Sequence, residues 1–330
     1  MVGVRCRWVA IVPLVVVIVS GCAGATGTGK GATKAATRTP ATSGIAPSEA
    51  GGASTPVSSR CAVPGLVATY FSTPGSWTGS WSLSPGDSCA VDVTDASGKT
   101  IATLRASGPV TGVGVDFVSA DDGWLLVNSG EGFGQYTALY RTTDGGATWA
   151  GLLSAQSWYS GPGKSGTWAG LDLSFASTND GWLLAGMGPG AGSEPKELLA
   201  TTDGGTTWHL VASPSALPLP TGTDQSVMMV FTSATKGFIT ASNTNAQTSP
   251  PTAFLFETSD GGRSWHQVAL PRLPASKEAW RFNTVDSFAF SSAEAGEVVF
   301  TYSDVNNDQA TYCYSTPDGG TSWSLSTCRP

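Results

Sequence analysis

The chain has 330 residues, 12% charged and 40% hydrophobic, with a formal net charge of −7. Little charge together with 42 Gly and 20 Pro fits an exported all-β protein better than a helical one. An acidic chain without basic clusters excludes nucleic acid and electrostatic docking on anionic lipid as expected partners.

Residues 1–21 read as a targeting segment. Arg5 and Arg7 supply its charge, and Val9 to Val19 form an apolar run too short to cross a bilayer. Removing this segment leaves 15 basic and 24 acidic side chains, a mature charge of about −9. The run ends in Val19-Ser20-Gly21-Cys22, and small residues ahead of a cysteine resemble the lipobox of bacterial lipoproteins. That resemblance implies cleavage before Cys22, a diacylglyceryl group on its thiol, and attachment to the cell membrane on the extracytoplasmic side. The other reading is an ordinary secretory signal with an incidental cysteine. Residues 22–60 then comprise the lipidated cysteine and a Gly/Ala/Thr/Ser/Pro tether with Ile45 and Val57 as its larger aliphatics. Such a stretch cannot bury enough surface to fold, and as a coil it spans roughly 35 Å.

Residues 61–330 are expected to form one β-propeller. Its opening stretch, 61–108, carries Trp77, Trp81 and a hairpin-like run from Val91 to Ile101. This stretch reads as a divergent fifth blade, ahead of the alternative of a separate small sandwich. The rest, 109–330, holds four copies of one phrase: a Phe-led strand, a Gly turn, a second strand, then Thr-x-Asp-Gly-Gly-x-(Thr/Ser)-Trp. The aspartates Asp144, Asp203, Asp260 and Asp318 recur at intervals of 59, 57 and 58 residues. Phe117, Phe175, Phe231 and Phe290 keep nearly the same step. So long a period, made of short strands and glycine turns, belongs to a radially repeated sheet of four-stranded antiparallel blades. Each aspartate can accept N–H groups of its own turn, the glycines provide positive φ, and Trp149, Trp208, Trp265 and Trp323 are large enough to fill the wedge between sheets.

The corner motif resembles the Asp-box, or bacterial neuraminidase repeat, of β-propellers. The preceding Phe-x-Ser-x-x-x-Gly-Trp phrase resembles photosystem II assembly and stability factor-like proteins, sortilin-type receptors and xyloglucanases. By that resemblance the Asp-box is a fold element, away from any active site.

Of the four later cysteines, Cys313 and Cys328 flank the last Asp-Gly-Gly turn symmetrically, where opposed hairpin positions come within bonding reach. Pairing them leaves Cys61 with Cys89, while crossed pairings would tie the two ends of the domain.

Connections alternate between the two ends of an antiparallel blade, so the short turns and Asp-box corners share one face. The long connections at 128–137, 186–196, 241–252, 301–310, 154–170, 212–227 and 269–284 share the other. Functional residues concentrate on such loops. Trp158, Tyr159, Trp168, Trp280, Arg281 and Tyr302 fall there, and read either as a platform for a protein or glycan ligand or as cover for the loops' own backbone. Catalysis is not expected. Sialidase chemistry needs an arginine triad and a Tyr–Glu pair, a glycosidase needs two facing carboxylates, and no spacing singles out such a set; Asp224 and Glu278 are acids on the right face. Asp304 to Asp308 alternates oxygen ligands but lacks the glycine of a calcium loop, and His209 and His266 fall in separate outer strands. No metal or cofactor is expected, and the propeller is expected to be monomeric. The runner-up is a carbohydrate-active hydrolase, sialidase- or xyloglucanase-like, using loop-face acids.

Overall fold

The computed structural model describes residues 80–83, 90–94, 100–106, 110–129, 136–153, 169–187, 194–219, 227–242, 253–277 and 280–328. All lie within Ser43–Pro330, and residues 1–79 fall outside them. Cys22, the tether, Cys61 and Cys89 are likewise outside the described residues.

Brief apolar runs bounded by glycine turns become strands throughout. A three-stranded sheet comes first: β1 (Ser80–Leu83), β2 (Ala90–Thr94) and β3 (Thr100–Arg105), paired in that order. The first repeat forms β4 (Val110–Phe117), β5 (Gly123–Ser129), β6 (Tyr136–Thr142) and β7 (Ala150–Leu153). The second forms β8 (Ala169–Phe175), β9 (Gly181–Gly186), β10 (Lys196–Thr201) and β11 (His209–Ala212). In the third are β12 (Val227–Phe231), β13 (Gly237–Ser242), β14 (Ala253–Thr258) and β15 (His266–Gln267). The fourth has β16 (Arg281–Phe290), β17 (Gly296–Ser303), β18 (Gln309–Thr316) and β19 (Ser324–Thr327). Each repeat is a four-stranded sheet in chain order, and every pairing is antiparallel. The first strands β4, β8, β12 and β16 contact one another in succession. The carboxyl ends of all four line one cavity of about 160 Å³, where Phe117, Phe175, Phe231 and Phe290 converge. Like sheets arranged in this way around an axis make a β-propeller.

The sequence explains why the sheets stack. Gly181 to Gly186 is buried along its whole length, because a blade has neighbours on both faces; its apolar run Trp-Leu-Leu-Ala is therefore continuous rather than alternating. Flat contacts between sheets come from the second strands. Trp124 lies parallel to Phe175 at 3.6 Å, and Trp182 to Phe231 at 3.7 Å. Each indole N–H also reaches the next repeat's corner, donating to Gly204 O at 2.9 Å and Gly261 O at 3.0 Å. The corner indoles pack edge-on instead, Trp149 against Phe117 and Trp208 against Phe175, both at 6.1 Å. Such pairs contribute about 0.5–1.5 kcal/mol beyond the area they bury. On its other side the first repeat packs Val113, Val115 and Phe117 against Val91 and Val93 of the three-stranded sheet.

Strands extend farther toward the irregular connections than the sequence predicts. The connection expected at 301–310 is only the turn 304–308, since β17 runs to Ser303 and β18 starts at Gln309. A disulfide joins Cys313 to Cys328, with an S–S distance of 2.00 Å.

Candidate functional site

The two ends of the sheets differ in chemistry. At the Asp-box end every corner closes on itself. Thr142 Oγ1 donates to Asp144 Oδ1 (2.9 Å) and accepts the Gly146 N–H (2.8 Å). Thr148 donates its N–H to Asp144 Oδ1 (2.8 Å) and its hydroxyl to Oδ2 (2.7 Å). The same bonds recur at Asp203 with Thr201 and Thr207, at Asp260 with Thr258 and Ser264, and at Asp318 with Thr316 and Ser322. Both glycines of each corner have positive φ, as at Gly204 (71°) and Gly205 (92°), which suits Gly alone at no steric cost. Hydrogen bonds from Thr207 and Thr201 hold the Asp203 carboxyl down to about 2, and those from Ser264 and Thr258 do the same for Asp260, also to about 2. Carboxylates so occupied are turn anchors.

The corners sit against the short first turns, as the alternation of connections requires: Gly145 N donates to Asp121 O, Gly204 N to Asn179 O, Gly261 N to Thr235 O and Gly319 N to Glu294 O. A charge pair bridges turn and third strand in two repeats, with its sign reversed. Arg141 meets Asp122 at 3.3 Å in the first, and Lys236 meets Glu257 at 3.1 Å in the third. In each the cation lies over the second-strand aromatic, 5.0 Å from Trp124 or 5.6 Å from Phe238.

Near the axis lie two acids that the sequence analysis does not single out. Asp116 and Asp172 are 0% and 1% exposed. Asp116 Oδ2 accepts the N–H of Phe175 in the next repeat. Asp172 accepts the N–H of Leu173 (2.7 Å) and, across to the third repeat, of Met229 (2.5 Å). In the second repeat Ser174 does what Asp116 does in the first, accepting the Phe231 N–H at 2.9 Å. The first strand of each sheet is an edge whose N–H groups need acceptors, and these side chains of the preceding sheet provide them. Burial pushes the Asp172 carboxyl well above the usual range, opposed by the two backbone donors and reinforced by the Asp116 charge. The available signal is a carboxylate inside an apolar run, Val115-Asp116-Phe117 and Leu171-Asp172-Leu173.

At the opposite end, Arg281 opens β16 and Trp280 immediately precedes it. Trp280 is half-buried and Arg281 exposed. Lys277, closing a short 3-10 turn at Ala275–Lys277, holds its ammonium 3.5 Å from the Trp280 ring centroid. Tyr302, in register with Phe282, is buried: it is 8% exposed, packed edge-on to Phe282 and Phe300, and its hydroxyl meets that of Tyr314 at 3.3 Å. Burial drives its phenol far above the ordinary value. It belongs to the buried cluster of the fourth sheet, against which Trp280 also packs. Trp158, Tyr159, Trp168, Asp224 and Glu278 lie outside the described residues. Glu194 and Lys196, also at this end, are buried in the second repeat, with Lys196 Nζ donating to Glu194 O at 3.1 Å. Burial raises the Glu194 carboxyl and lowers the Lys196 amine.

The Asp304 carboxylate accepts the N–H groups of Asn306 (2.8 Å) and Asp308 (2.9 Å), so its own turn occupies it. No group of three or more metal-ligating side chains occurs among the described residues. His266 Nε2 stands 3.6 Å from Glu257, on a strand of the third sheet, while His209 begins β11 of the second.

No family model and no curated protein matches the chain. Solved structures do. An α-L-arabinanase of Penicillium chrysogenum, complexed with arabinobiose, is 16% identical with a TM-score of 0.43, over 62% of this chain and 63% of that one. A Hadza microbial sialidase is 14% identical with a TM-score of 0.46, over 72% and 52%. The fucose-specific lectin of Aleuria aurantia is 10% identical with a TM-score of 0.46, over 79% and 76%. The chain thus spans 63% of the arabinanase's length and 52% of the sialidase's. At these identities the likeness is one of fold. The expectation that the chain is no enzyme is corrected at this point: an arabinanase, an α-L-arabinofuranosidase, a xyloglucanase and a sialidase stand among the matched structures.

Proposed function

We propose that the protein is an exported, lipid-anchored propeller that engages a glycan at the face of its irregular connections. One observation carries the reading: Trp280 and Arg281 stand at the loop-side start of an innermost strand, with Lys277 over the indole. An aromatic ring flanked by cations suits the apolar face and hydroxyl edge of a sugar. Moving Lys277 off the ring costs about 0.5–1 kcal/mol for an exposed pair, small against a stacked sugar. At the corner end the rings beneath Arg141 and Lys236 are fully buried, and the corner carboxylates are consumed by their own turns. The anchor rests on Val19-Ser20-Gly21-Cys22; two acyl chains at about 0.8 kcal/mol per buried CH₂ give stable attachment.

The test is a glycan array on the purified full chain, with the same glycans assayed for released reducing sugar. Binding that Trp280→Ala reduces at least tenfold supports the site. Release of sugar makes the bound glycan a substrate. Neither binding nor release across the array ends the glycan reading. For the anchor, Cys22→Ala should move the protein out of the membrane fraction; unchanged fractionation ends the anchor reading.

A further inference from the structure

In so acidic a chain the placing of the few cations is informative. Among the described side chains, four lysines and arginines are engaged by a neighbour. Arg141 pairs with Asp122 and Lys236 with Glu257, Lys196 donates to Glu194 O, and Arg263 donates to Asp260 O at 2.6 Å. The other three, Arg272, Lys277 and Arg281, lie together on the connection that leads into β16. None of them forms an ion pair with a described residue.

That connection is pinned to the fourth sheet. Val268, Leu270, Leu273 and Trp280 pack against its aromatic cluster, while Arg272 and Arg281 stay exposed. Backbone bonds fix the turn before the strand: Lys277 N–H donates to Pro274 O at 2.7 Å, and Trp280 N–H to Lys277 O at 2.9 Å. The turn thus holds the Lys277 ammonium 3.5 Å from the indole centroid. Arg281 is in register with Ser303, the residue before Asp304. Lys277 reaches the same corner. Desolvation opposes the shift, yet the N–H groups of Asp308 and Asn306 and the Lys277 charge hold the Asp304 carboxyl below its ordinary value. Asp304 does not close on the ammonium, because its oxygens accept the Asn306 and Asp308 N–H groups and the Asn306 side-chain amide at 3.3 Å.

We propose, building on the glycan reading above, that the Trp280 site takes a negatively charged sugar, Lys277 and Arg281 receiving its carboxylate or sulfate. A guanidinium presents a planar fork to such a group and an ammonium a point charge. The anion also gives Lys277 a reason to leave the indole, exchanging a ring contact for an ion pair and freeing the face on which the sugar stacks. A neutral sugar offers no such exchange. The rest of the acidic surface repels the same ligand, so binding is confined to this patch.

Calorimetric titration of the full chain tests it. The probes are oligogalacturonate and oligomannuronate, each beside its carboxyl-reduced neutral form and the sulfated derivative of that form. A charged form should bind about tenfold more tightly than its neutral counterpart at low salt, with the preference shrinking as salt rises. Whether uronate or sulfate is preferred identifies the group. Lys277→Met combined with Arg281→Met should bring charged and neutral forms to one affinity. A preference that survives this double variant overturns the proposal. So does equal affinity for charged and neutral forms in the wild type; if Trp280→Ala then weakens both alike, the glycan site stands without its charge selectivity. No binding of any probe ends the charge inference, and the glycan array decides the broader reading separately. Should the double variant not fold, the wild-type preference and its salt dependence still decide.

Discussion

The second and fourth repeats begin from nearly the same phrase yet differ in the face each turns outward from its second strand. In the second, Trp182 is 3% exposed, flat on Phe231 and hydrogen-bonded to Gly261. In the fourth, the residue after the turn glycine is Glu297, which is exposed. Its face continues with Thr301, Thr311 and Ser315, and Thr301 bonds to Asp286 and Thr311 rather than to a neighbouring sheet. The other face of the same sheet is aromatic, carrying Phe290, Phe300, Tyr302 and Tyr314 against the third repeat. A repeat therefore states its own fold but not its neighbour; the neighbour is written in the second-strand aromatic. The fourth sheet has a covalent tie instead, Cys313 to Cys328, on strands whose outer face lacks an aromatic latch.

The comparison breaks first at the latch. Trp182→Ala should cost about 3–5 kcal/mol, the range for deleting a buried large aromatic, read as a lower denaturant midpoint at unchanged slope. Little or no loss would mean that the stacked indole does not hold second to third repeat. Next comes the staple. Cys313→Ser opens a 15-residue span and should cost about 3 kcal/mol on the loop-entropy model, measured against the reduced wild type as control.

The corner effect is smaller and depends on pH. Asp203 has a depressed carboxyl, at about 2. Its contribution is present above the unfolded value of about 3.9 and fades as pH falls through about 2. Asp203→Ala should lower the melting temperature at neutral pH and leave glycan binding, where found, unchanged at matched folding. Asp172 runs the other way. Its raised carboxyl stabilises the fold below about pH 3.9, and that contribution is lost as pH rises through the folded value. Asp172→Asn should flatten this decline, and an identical pH profile would contradict the burial argument. Least affected should be Glu297→Ala, within about 0.5 kcal/mol as for other exposed positions.

Much of the fold is legible in the sequence because its signals are local. Thr-x-Asp-Gly-Gly encodes a turn through bonds that span four residues, and its spacing encodes the period. The Cys313–Cys328 pair follows from symmetry about a hairpin. The loop end is harder. Spacing alone ends the strand too early and leaves Tyr302 in a connection; alternation from Val298 and Phe300 puts it on the buried face. Asp116 and Asp172 escape notice because acids are expected on loops, where ligands reach them, although edge N–H groups near an axis need acceptors too. The proposed glycan contact is illegible for a physical reason: irregular connections have no period, so nothing in their sequence says which side chains converge.

The reversed charge pairs of the first and third repeats carry one more consequence. Arg141 with Asp122 and Lys236 with Glu257 occupy matching positions, and each cation shields a ring. Geometry at that spot tolerates either polarity, so the bridge behaves as a reversible coupling. Exchanging the two pairs wholesale between modules should leave the molecule folded, whereas exchanging one member would set like charges together.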